Sequence, residues 1–366
     1  MADDVIDYLD QMLMQAVEWR GSDIHLEPLA DGFAVRLRVD GLLYAVEQNS
    51  SRAFFASVVS RLKLLAGLDI GQRRLPQDGS FQTWIRDRAW DVRLSTLPVI
   101  YGEKLVLRLL QRDAQVSSFA QLGMTSLTVE RVEAVLKSEQ GLFVIAGPTG
   151  SGKTTTLQAA LQYLNRGDQN VVSLEDPVEY RIPGVNQVHI YPPSGLTFPV
   201  ALRSLLRQDP DVIAVGEIRD EETARLAVRI ALTGHLVLTT LHTADAARAI
   251  QRLLDMEVEP DRLATALRGL LTQRLARRLC PVCKGKDRRR CSRCRGTGVF
   301  GRIGVFELVL PDENIRLKIA NQGTAVELRQ SMRVAPAETM QSQLEQLAEE
   351  EKIGQGERVR LLDSLA

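Results

Sequence analysis

The spacing of hydrophobic residues changes along the first hundred positions. From Asp4 to Trp19, apolar residues recur at helical spacing, which predicts an amphipathic helix. From Phe33 to Val39, apolar and charged residues alternate as in a half-buried strand, and Asp40-Gly41 is typical of a turn. Two further stretches complete a first α/β region, one helical and one rich in strands: Phe54–Ala66 and Phe81–Leu110.

The second half of the chain alternates short apolar runs with amphipathic stretches. The runs are LFVIA, VVSLE, DVIAV and HLVLTTL, and each is short enough for a buried strand. Buried strands that alternate with helices predict a mostly parallel sheet covered by helices. This is the class of core that binds nucleotides.

These patterns divide the α/β chain into regions. We predict an amino-terminal α/β domain over residues 1–112, a polar linker over 113–126, a nucleotide-binding domain over 127–260 and a carboxy-terminal region over 261–366. The last region holds four cysteines within residues 280–294 and ends in a charged helical tail from Glu338 to Lys352.

Composition narrows the classes of function. The 366 residues are 45% hydrophobic, and 46 lysines and arginines balance 46 aspartates and glutamates, so no overall positive field attracts nucleic acid. No apolar run approaches the ~20 residues of a membrane-spanning helix, and the acidic start does not resemble a secretory signal. We therefore predict a protein that stays in the cytoplasm and could dock on a membrane protein.

The segment GPTGSGKT fits the phosphate-loop pattern G-x-x-x-x-G-K-[ST] and directly follows the strand LFVIA. Its glycines let successive N–H groups point at one anion, beside the amino end of the next helix. Lys153 is predicted to reach the β- and γ-phosphates of ATP, and Thr154 to bind Mg²⁺. A chance glycine-rich turn is the alternative. The predicted nucleotide-binding residues are Gly147, Pro148, Thr149, Gly150, Ser151, Gly152, Lys153, Thr154 and Thr155.

Hydrolysis needs an acidic group at the end of a neighbouring strand. Glu175 and Asp176 follow VVSL, and Glu217 follows DVIAVG. Because the carboxyl ends of adjacent parallel strands share one crevice, these acids can converge on the phosphate loop. The alternative for each is a helix cap or a surface acid.

Two of the four histidines flank the strand-like run LVLTTL. A neutral imidazole of His235 or His242 at a strand end could donate a hydrogen bond to the γ-phosphate and sense its presence. A structural histidine is the alternative for either one.

Several ordered motifs resemble the ATPase family that drives type II secretion and type IV pilus assembly. They are GSDIHLEP, RLRVDG and RLPQDG in the first half, GPTGSGKTTTL as the Walker A loop, SLEDPVEY as the Asp box, RQDPDVIAVGEIRD as Walker B and TGHLVLTTLHT as the His box. The resemblance covers Gly21 to Leu308. It implies a hexameric ring whose ATP sites lie between an amino-terminal domain and a RecA-like domain.

The resemblance also implies roles for single residues. Glu175 would help polarise the lytic water, and Glu217 would take the Walker B role, with Gly216 where many P-loop proteins have aspartate. Four arginines would stabilise charge on the transferring phosphoryl group. Surface ion pairs are the alternative for these four, which are Arg93, Arg108, Arg203 and Arg207.

The cysteines form two C-x-x-C pairs, Cys280 with Cys283 and Cys291 with Cys294. Two such turns can supply the tetrahedral thiolates that structural Zn²⁺ favours. The resembling family carries a four-cysteine subdomain here, but its pairs are usually farther apart than the seven residues found between these. A nucleic-acid-binding knuckle and redox or unligated cysteines are the alternatives.

Together these features predict an ATP-hydrolysing hexameric motor for a type II secretion pseudopilus or a type IV pilus, acting on an inner-membrane platform protein or a cytoplasmic adaptor. The cysteines favour assembly over pilus retraction, whose motors typically lack them. A motor for DNA uptake or conjugation and a non-hydrolysing ATP-binding scaffold are the other readings. Because the first family motif begins at Gly21, we expect no additional amino-terminal docking domain.

Overall fold

A computed structural model describes residues 2–49, 51–112, 118–286, 288–332 and 338–365. The chain forms two compact units: Met1–Ala114 with Glu179–Arg181, and Gln115–Val178 with Ile182–Ala366. Each unit has its own sheet and its own hydrophobic core. Among the described helices, none combines the length and apolar character needed to cross a bilayer.

The first unit is a six-stranded antiparallel sheet with two helices on one face. Its helices are α1 (Ala2–Glu18) and α2 (Arg52–Leu65), and its strands are β1 (Gly21–Leu29), β2 (Gly32–Val39), β3 (Leu42–Asn49), β4 (Gln77–Ile85), β5 (Arg88–Val99) and β6 (Gly102–Gln111). The strand order is β3-β2-β1-β6-β5-β4. The predicted helices and strands of this region are confirmed.

Alternation along the strands builds the core of the first unit. In β6, for example, Leu105, Leu107 and Leu109 are buried, whereas Lys104 before them and Arg108 between the last two point to the other face. The buried face packs against α1 and α2 in one cluster. The opposite face therefore carries the polar and charged side chains.

The second unit contains a seven-stranded sheet in the order β13-β12-β7-β11-β10-β8-β9. The strands are β7 (Gly141–Ala146), β8 (Val171–Glu175), β9 (Asn186–His189), β10 (Val212–Val215), β11 (Leu236–Leu241), β12 (Leu267–Leu279) and β13 (Val299–Val309). All neighbours are parallel except β12 and β13. The predicted parallel sheet is confirmed.

Helices cover both faces of this second sheet. One core cluster lies under α6 to α11, and another lies under α3 to α5 on the opposite face. The helices are α3 (Phe119–Leu122), α4 (Ser126–Leu136), α5 (Lys153–Leu164), α6 (Phe198–Leu205), α7 (Glu221–Ala231), α8 (Ala246–Asp255), α9 (Pro260–Ala266), α10 (Glu313–Ala320), α11 (Ala325–Ser331), α12 (Met340–Glu349) and α13 (Gln355–Asp363). Burial on both faces explains why β7, β10 and β11 are entirely apolar or small.

The carboxy-terminal region, which we predicted to start at residue 261, belongs to the same compact unit as the nucleotide-binding domain. Its strand β12 pairs in parallel with β7, the strand that leads into the phosphate loop, and β13 extends the same sheet. Within the predicted linker, residues 113–117 lie outside the described residues, while α3 and its buried Phe119 belong to the second unit. The carboxy-terminal region is thus partly built into the nucleotide-binding core.

The tail helices pack back on the sheet. Glu357 of α13 accepts a hydrogen bond of 2.9 Å from Nε of Arg277 in β12 and a second from Arg360. Burial raises the pKa of Glu357, but these arginine hydrogen bonds outweigh burial and lower it to about 2. This ion pair fixes α13 beside β12.

Candidate nucleotide-binding site

The loop after β7 forms a narrow cradle. Gly150 and Gly152 adopt left-handed φ values of 76° and 89°, which favour glycine, and Gly152 caps α5. A Cβ at Gly147 would collide with Ser151 Oγ and lie 2.7 Å from the carbonyl oxygen of Gln273. The loop therefore has a backbone shape that side chains would block, at the amino end of a helix.

Lys153 is the first residue of α5 and is only 7% exposed. Its Nζ donates to the carbonyl oxygens of Gly147 (2.8 Å) and Pro148 (3.1 Å), and it lies 3.3 Å from Nδ1 of His242. Burial lowers its pKa to about 8; Arg274 acts in the same direction, and Glu217 opposes both. The ammonium group of Lys153 thus lies inside the phosphate loop and is bound by its carbonyl oxygens.

The donor set around the loop fits a bound phosphate. Ser151 Oγ is buried, and within the described residues it has no hydrogen-bond partner, so its hydroxyl can donate to a phosphate oxygen. Gln273 Nε2 holds the loop by donating to the carbonyl oxygen of Ser151 at 2.7 Å. Half-buried Thr154 lies in the first turn of α5, where its hydroxyl suits a Mg²⁺ ligand. These residues would hold the phosphates of a nucleotide and its metal ion.

Glu217 lies two residues after β10, on the same sheet edge as the loop. Its Oε2 is 3.2 Å from Nε2 of His242, so one imidazole joins Glu217 to Lys153. Arg219 forms an ion pair with the other carboxylate oxygen of Glu217 and lies 3.5 Å from Asp176. A carboxylate, an imidazole and an ammonium group therefore converge beside the phosphate loop.

Glu175 ends β8 and is 5% exposed. One of its oxygens accepts hydrogen bonds from Ser173 Oγ (2.6 Å) and from Gln187 Nε2 (2.9 Å). Two neutral donors thus orient this buried carboxylate, and neither of them neutralises its charge. A carboxylate held in this way can orient water.

Gly216 lies between the two acids for a steric reason. A Cβ here would be 3.1 Å from the carbonyl oxygen of Leu174 and 3.5 Å from Cα of Glu175. Its own carbonyl oxygen accepts a hydrogen bond of 2.7 Å from Thr240 Oγ1. The close approach of β8 and β10 explains glycine at this position.

The two histidines lie at opposite ends of β11. His242 follows the carboxyl end and contacts the phosphate-loop lysine, as described above. His235 precedes the amino end, where its carbonyl oxygen accepts from the N–H of Gly141 at the start of β7. The six residues of β11, roughly 20 Å of extended strand, separate it from the carboxyl end of this strand. Within the second unit, the structure does not bring His235 to the phosphate loop.

The sequence profile described as "Type II/IV secretion system protein" matches residues 2–358. The chain belongs to this family. It is 45% identical over 342 residues to the type II secretion system protein HxcR of Pseudomonas aeruginosa, covering 92% of this chain and 72% of that protein. It is 44% identical to the type IV pilus assembly ATPase PilB of Thermus thermophilus, covering 89% of this chain but 39% of that protein.

The fold agrees with this type II/IV secretion family. The solved structure titled "Crystal Structure of the Pilus Retraction Motor PilT and Bound ADP" superposes with a TM-score of 0.66 at 26% identity, covering 96% of each chain. The second unit is a RecA-like ATPase core, and the first is a small α/β unit.

The arginines expected from family resemblance occupy two settings. Arg203 on α6 forms an ion pair with Glu222 on α7, and Nη1 of Arg207 donates to the carbonyl oxygen of Arg203 at 3.2 Å. Neither contacts the phosphate loop within the described parts of the second unit. Arg93 and Arg108 are cross-strand neighbours on β5 and β6 in the first unit.

The four cysteines form a compact cluster in this family member. One ligand atom from each lies within 4.8 Å of the others, with Sγ distances of 3.8 Å from Cys280 to Cys291 and 3.6 Å from Cys283 to Cys294. All four cysteines are free. The short loop thus does close into a site with the donor set of a metal centre, as the sequence predicted.

Sequence reasoning missed the residues that support the site. Arg219 stands two positions after Glu217 and could have been noticed as a second charge at this strand end. Gln187, Gln273 and Arg274 could not, because each reaches the site from a strand whose neighbours in the sheet the sequence motifs do not specify. Arg274 is buried and donates to the carbonyl oxygen of Ala244 at 2.7 Å, tying β12 to the loop after β11.

Proposed function

We propose that this protein is an ATP-hydrolysing motor that powers assembly of a type II secretion pseudopilus or a type IV pilus. The observation that carries the proposal is the chain of contacts from Lys153 through His242 to Glu217, next to buried Glu175. A bound nucleotide would supply the phosphoryl group. Lys153 would bind its phosphates, Glu217 and Glu175 would orient water and metal, and His242 would connect phosphate and acid.

Six copies would form the working ring at the inner face of the cytoplasmic membrane, against a platform protein or an adaptor of the machine. Arg93, Arg108, Arg203 and Arg207 would then supply positive charge to the nucleotide. Relatives above 40% identity named for type II secretion and pilus assembly support assembly over retraction, since the retraction motor is only 26% identical.

The test is phosphate release by the purified full-length protein. Lys153→Ala should lose nucleotide binding, whereas Glu217→Gln should bind a fluorescent ATP analogue and lower kcat by about 10²- to 10³-fold. Glu221→Gln, at an exposed acid at the start of α7, is the matched control and should stay within about twofold of the wild-type rate. Wild-type turnover in Lys153→Ala or Glu217→Gln would refute the motor.

Zn²⁺ is the metal ion proposed for the cysteine cluster. Four thiolates at short range suit its tetrahedral preference, and exposed cations in the same loop offset their charge: Lys284, Lys286, Arg288, Arg289 and Arg290. Elemental analysis should find about one zinc ion per chain in the wild type and none in Cys280→Ser/Cys291→Ser. Iron in place of zinc, or no metal, would contradict this assignment.

A further inference from the structure

The charged face of the first sheet carries one continuous row of side chains. Register places Ser80, Arg93, Arg108, Asp23 and Arg38 side by side on β4, β5, β6, β1 and β2. Arg108 and Arg38 thus flank a single carboxylate, that of Asp23, and Arg93 follows Arg108 in the row. Because side chains of directly opposed residues lie about 5 Å apart, neighbours in the row can contact each other.

Asp23 is the centre of this row and is 4% exposed. Its Oδ1 accepts a hydrogen bond of 2.9 Å from Nε of Arg108. Its Oδ2 accepts one of 2.7 Å from Ser22 Oγ and lies 3.9 Å from Nε of Arg38. An irregularity in the β1–β2 register between Gly21 and Asp23 accommodates Ser22. Each carboxylate oxygen of Asp23 therefore already accepts a hydrogen bond.

The contact with Arg108 uses only one edge of the guanidinium group. The Arg108 side chain remains 58% exposed although its Nε is bound. With respect to the residues that the structure describes, its two Nη groups make no hydrogen bond. Binding at Nε fixes the plane of the guanidinium group and leaves the Nη edge, which suits a phosphate, facing outward.

We propose that Asp23 is a positioning residue for ATP hydrolysis, which holds Arg108 so that its Nη edge faces the nucleotide phosphates. The proposal rests on the function assigned above to Arg108. Asp23 itself does not touch the nucleotide. Its carboxylate removes the rotational freedom of a long side chain before the reaction, which lowers the entropy lost in the transition state.

The same strand offers a matched control. Glu27 lies on the same face as Asp23, accepts a hydrogen bond of 2.6 Å from Nη2 of Arg36 and forms an ion pair of 2.8 Å with Lys104. It resembles Asp23 as a carboxylate held by two cations. Glu27 pairs with Arg36 and Lys104, whereas Arg108 pairs with Asp23, so Glu27→Gln removes comparable ion pairs without disturbing the positioned guanidinium group.

The experiment is a double-mutant cycle on steady-state ATP hydrolysis by the full-length protein. Arg108→Ala should lower kcat by about 10²-fold or more. Asp23→Asn should lower kcat by about tenfold with KM nearly unchanged, and adding it to Arg108→Ala should cause no further loss. Glu27→Gln should stay within about twofold of wild type.

The outcomes separate the two proposals. If Arg108→Ala hydrolyses ATP at the wild-type rate, the role of Arg108 is wrong. If only Arg108→Ala is slow, Arg108 acts but Asp23 does not position it. If Asp23→Asn slows Arg108→Ala by the same factor as it slows the wild type, Asp23 acts independently and the positioning role is overturned.

A second variant, Arg108→Lys, tests the same contact if Asp23→Asn fails to fold. Lysine keeps the positive charge but has no Nε–H for Asp23 to hold, so kcat should fall at least about tenfold. All three tryptophans, Trp19, Trp84 and Trp90, belong to the first unit, so their fluorescence reports directly whether this unit is folded. A folded Arg108→Lys variant with wild-type kcat would overturn the proposal.

Discussion

In the second unit the residues around the phosphate loop follow the ends of strands, whereas in the first unit the candidate functional side chains lie within strands on one face of the sheet. Gly147, Glu175, Glu217 and His242 all lie at or just past the carboxyl ends of neighbouring parallel strands. Asp23, Arg93 and Arg108 instead form part of a row across antiparallel strands.

The difference follows from how each sheet is covered. Helices bury both faces of the parallel sheet, so only its edge is open to a ligand. The antiparallel sheet is packed on one face, and alternation presents every second side chain on the other. The carboxyl ends of the parallel strands lead into loops that can wrap a phosphate. The open face of the antiparallel sheet presents side chains whose spacing is fixed by the backbone.

The strongest test of the two-faced sheet compares two neighbours on β6. Leu107 is fully buried and Val106 is half-buried on the charged face. Leu107→Ala should lower the unfolding free energy by about 2–5 kcal/mol because it leaves a cavity, whereas Val106→Ala should cost less than about 1 kcal/mol. Urea unfolding followed by tryptophan fluorescence measures the first unit. Equal losses would mean that the charged face is also a core.

Strand-end chemistry could be predicted from the sequence because the signals are local. GPTGSGKT follows an apolar run, and each acid follows another, so the parallel sheet alone brings them to one edge. The direction of β11 could also have excluded His235, since only the carboxyl end of a parallel strand reaches the loop. That step needs the sheet order, which single motifs do not contain.

The features that sequence reasoning missed depend on contacts between distant residues. β12 carries buried Gln273 and Arg274, so its pattern does not predict an apolar core strand. Gln273 Nε2 donates a hydrogen bond to the loop after β7, and Arg274 donates one to the loop after β11. The Asp23–Arg108 contact joins residues 85 positions apart. Its partners follow from strand register, which alternation alone leaves undetermined.

Smaller effects should separate the two ends of β11. His242→Ala removes the link between Lys153 and Glu217 and should lower kcat by about 10- to 100-fold. His235→Ala, at the amino end, is the matched control and should change kcat by less than about twofold. Both are measured by phosphate release at saturating ATP. Comparable losses in the two variants would mean that the strand's amino end also acts on the nucleotide.

The smallest effect concerns pH and distinguishes the buried Lys153 at the carboxyl ends of the parallel strands from the arginines on the charged face of the first sheet. Lys153 has a pKa lowered to about 8, and nucleotide phosphates should raise it again, so binding takes up a proton above pH 8. Affinity for ADP should therefore fall as pH rises through about 8, by at most about tenfold per pH unit. Titration calorimetry in buffers of different ionisation enthalpy measures the number of protons taken up on binding.

The control is Lys153→Arg. If this variant binds ADP, its affinity should lose the dependence on pH because arginine stays charged, as Arg93 and Arg108 do. The same ADP affinity on both sides of pH 8 in the wild type would show that Lys153 keeps its proton without nucleotide.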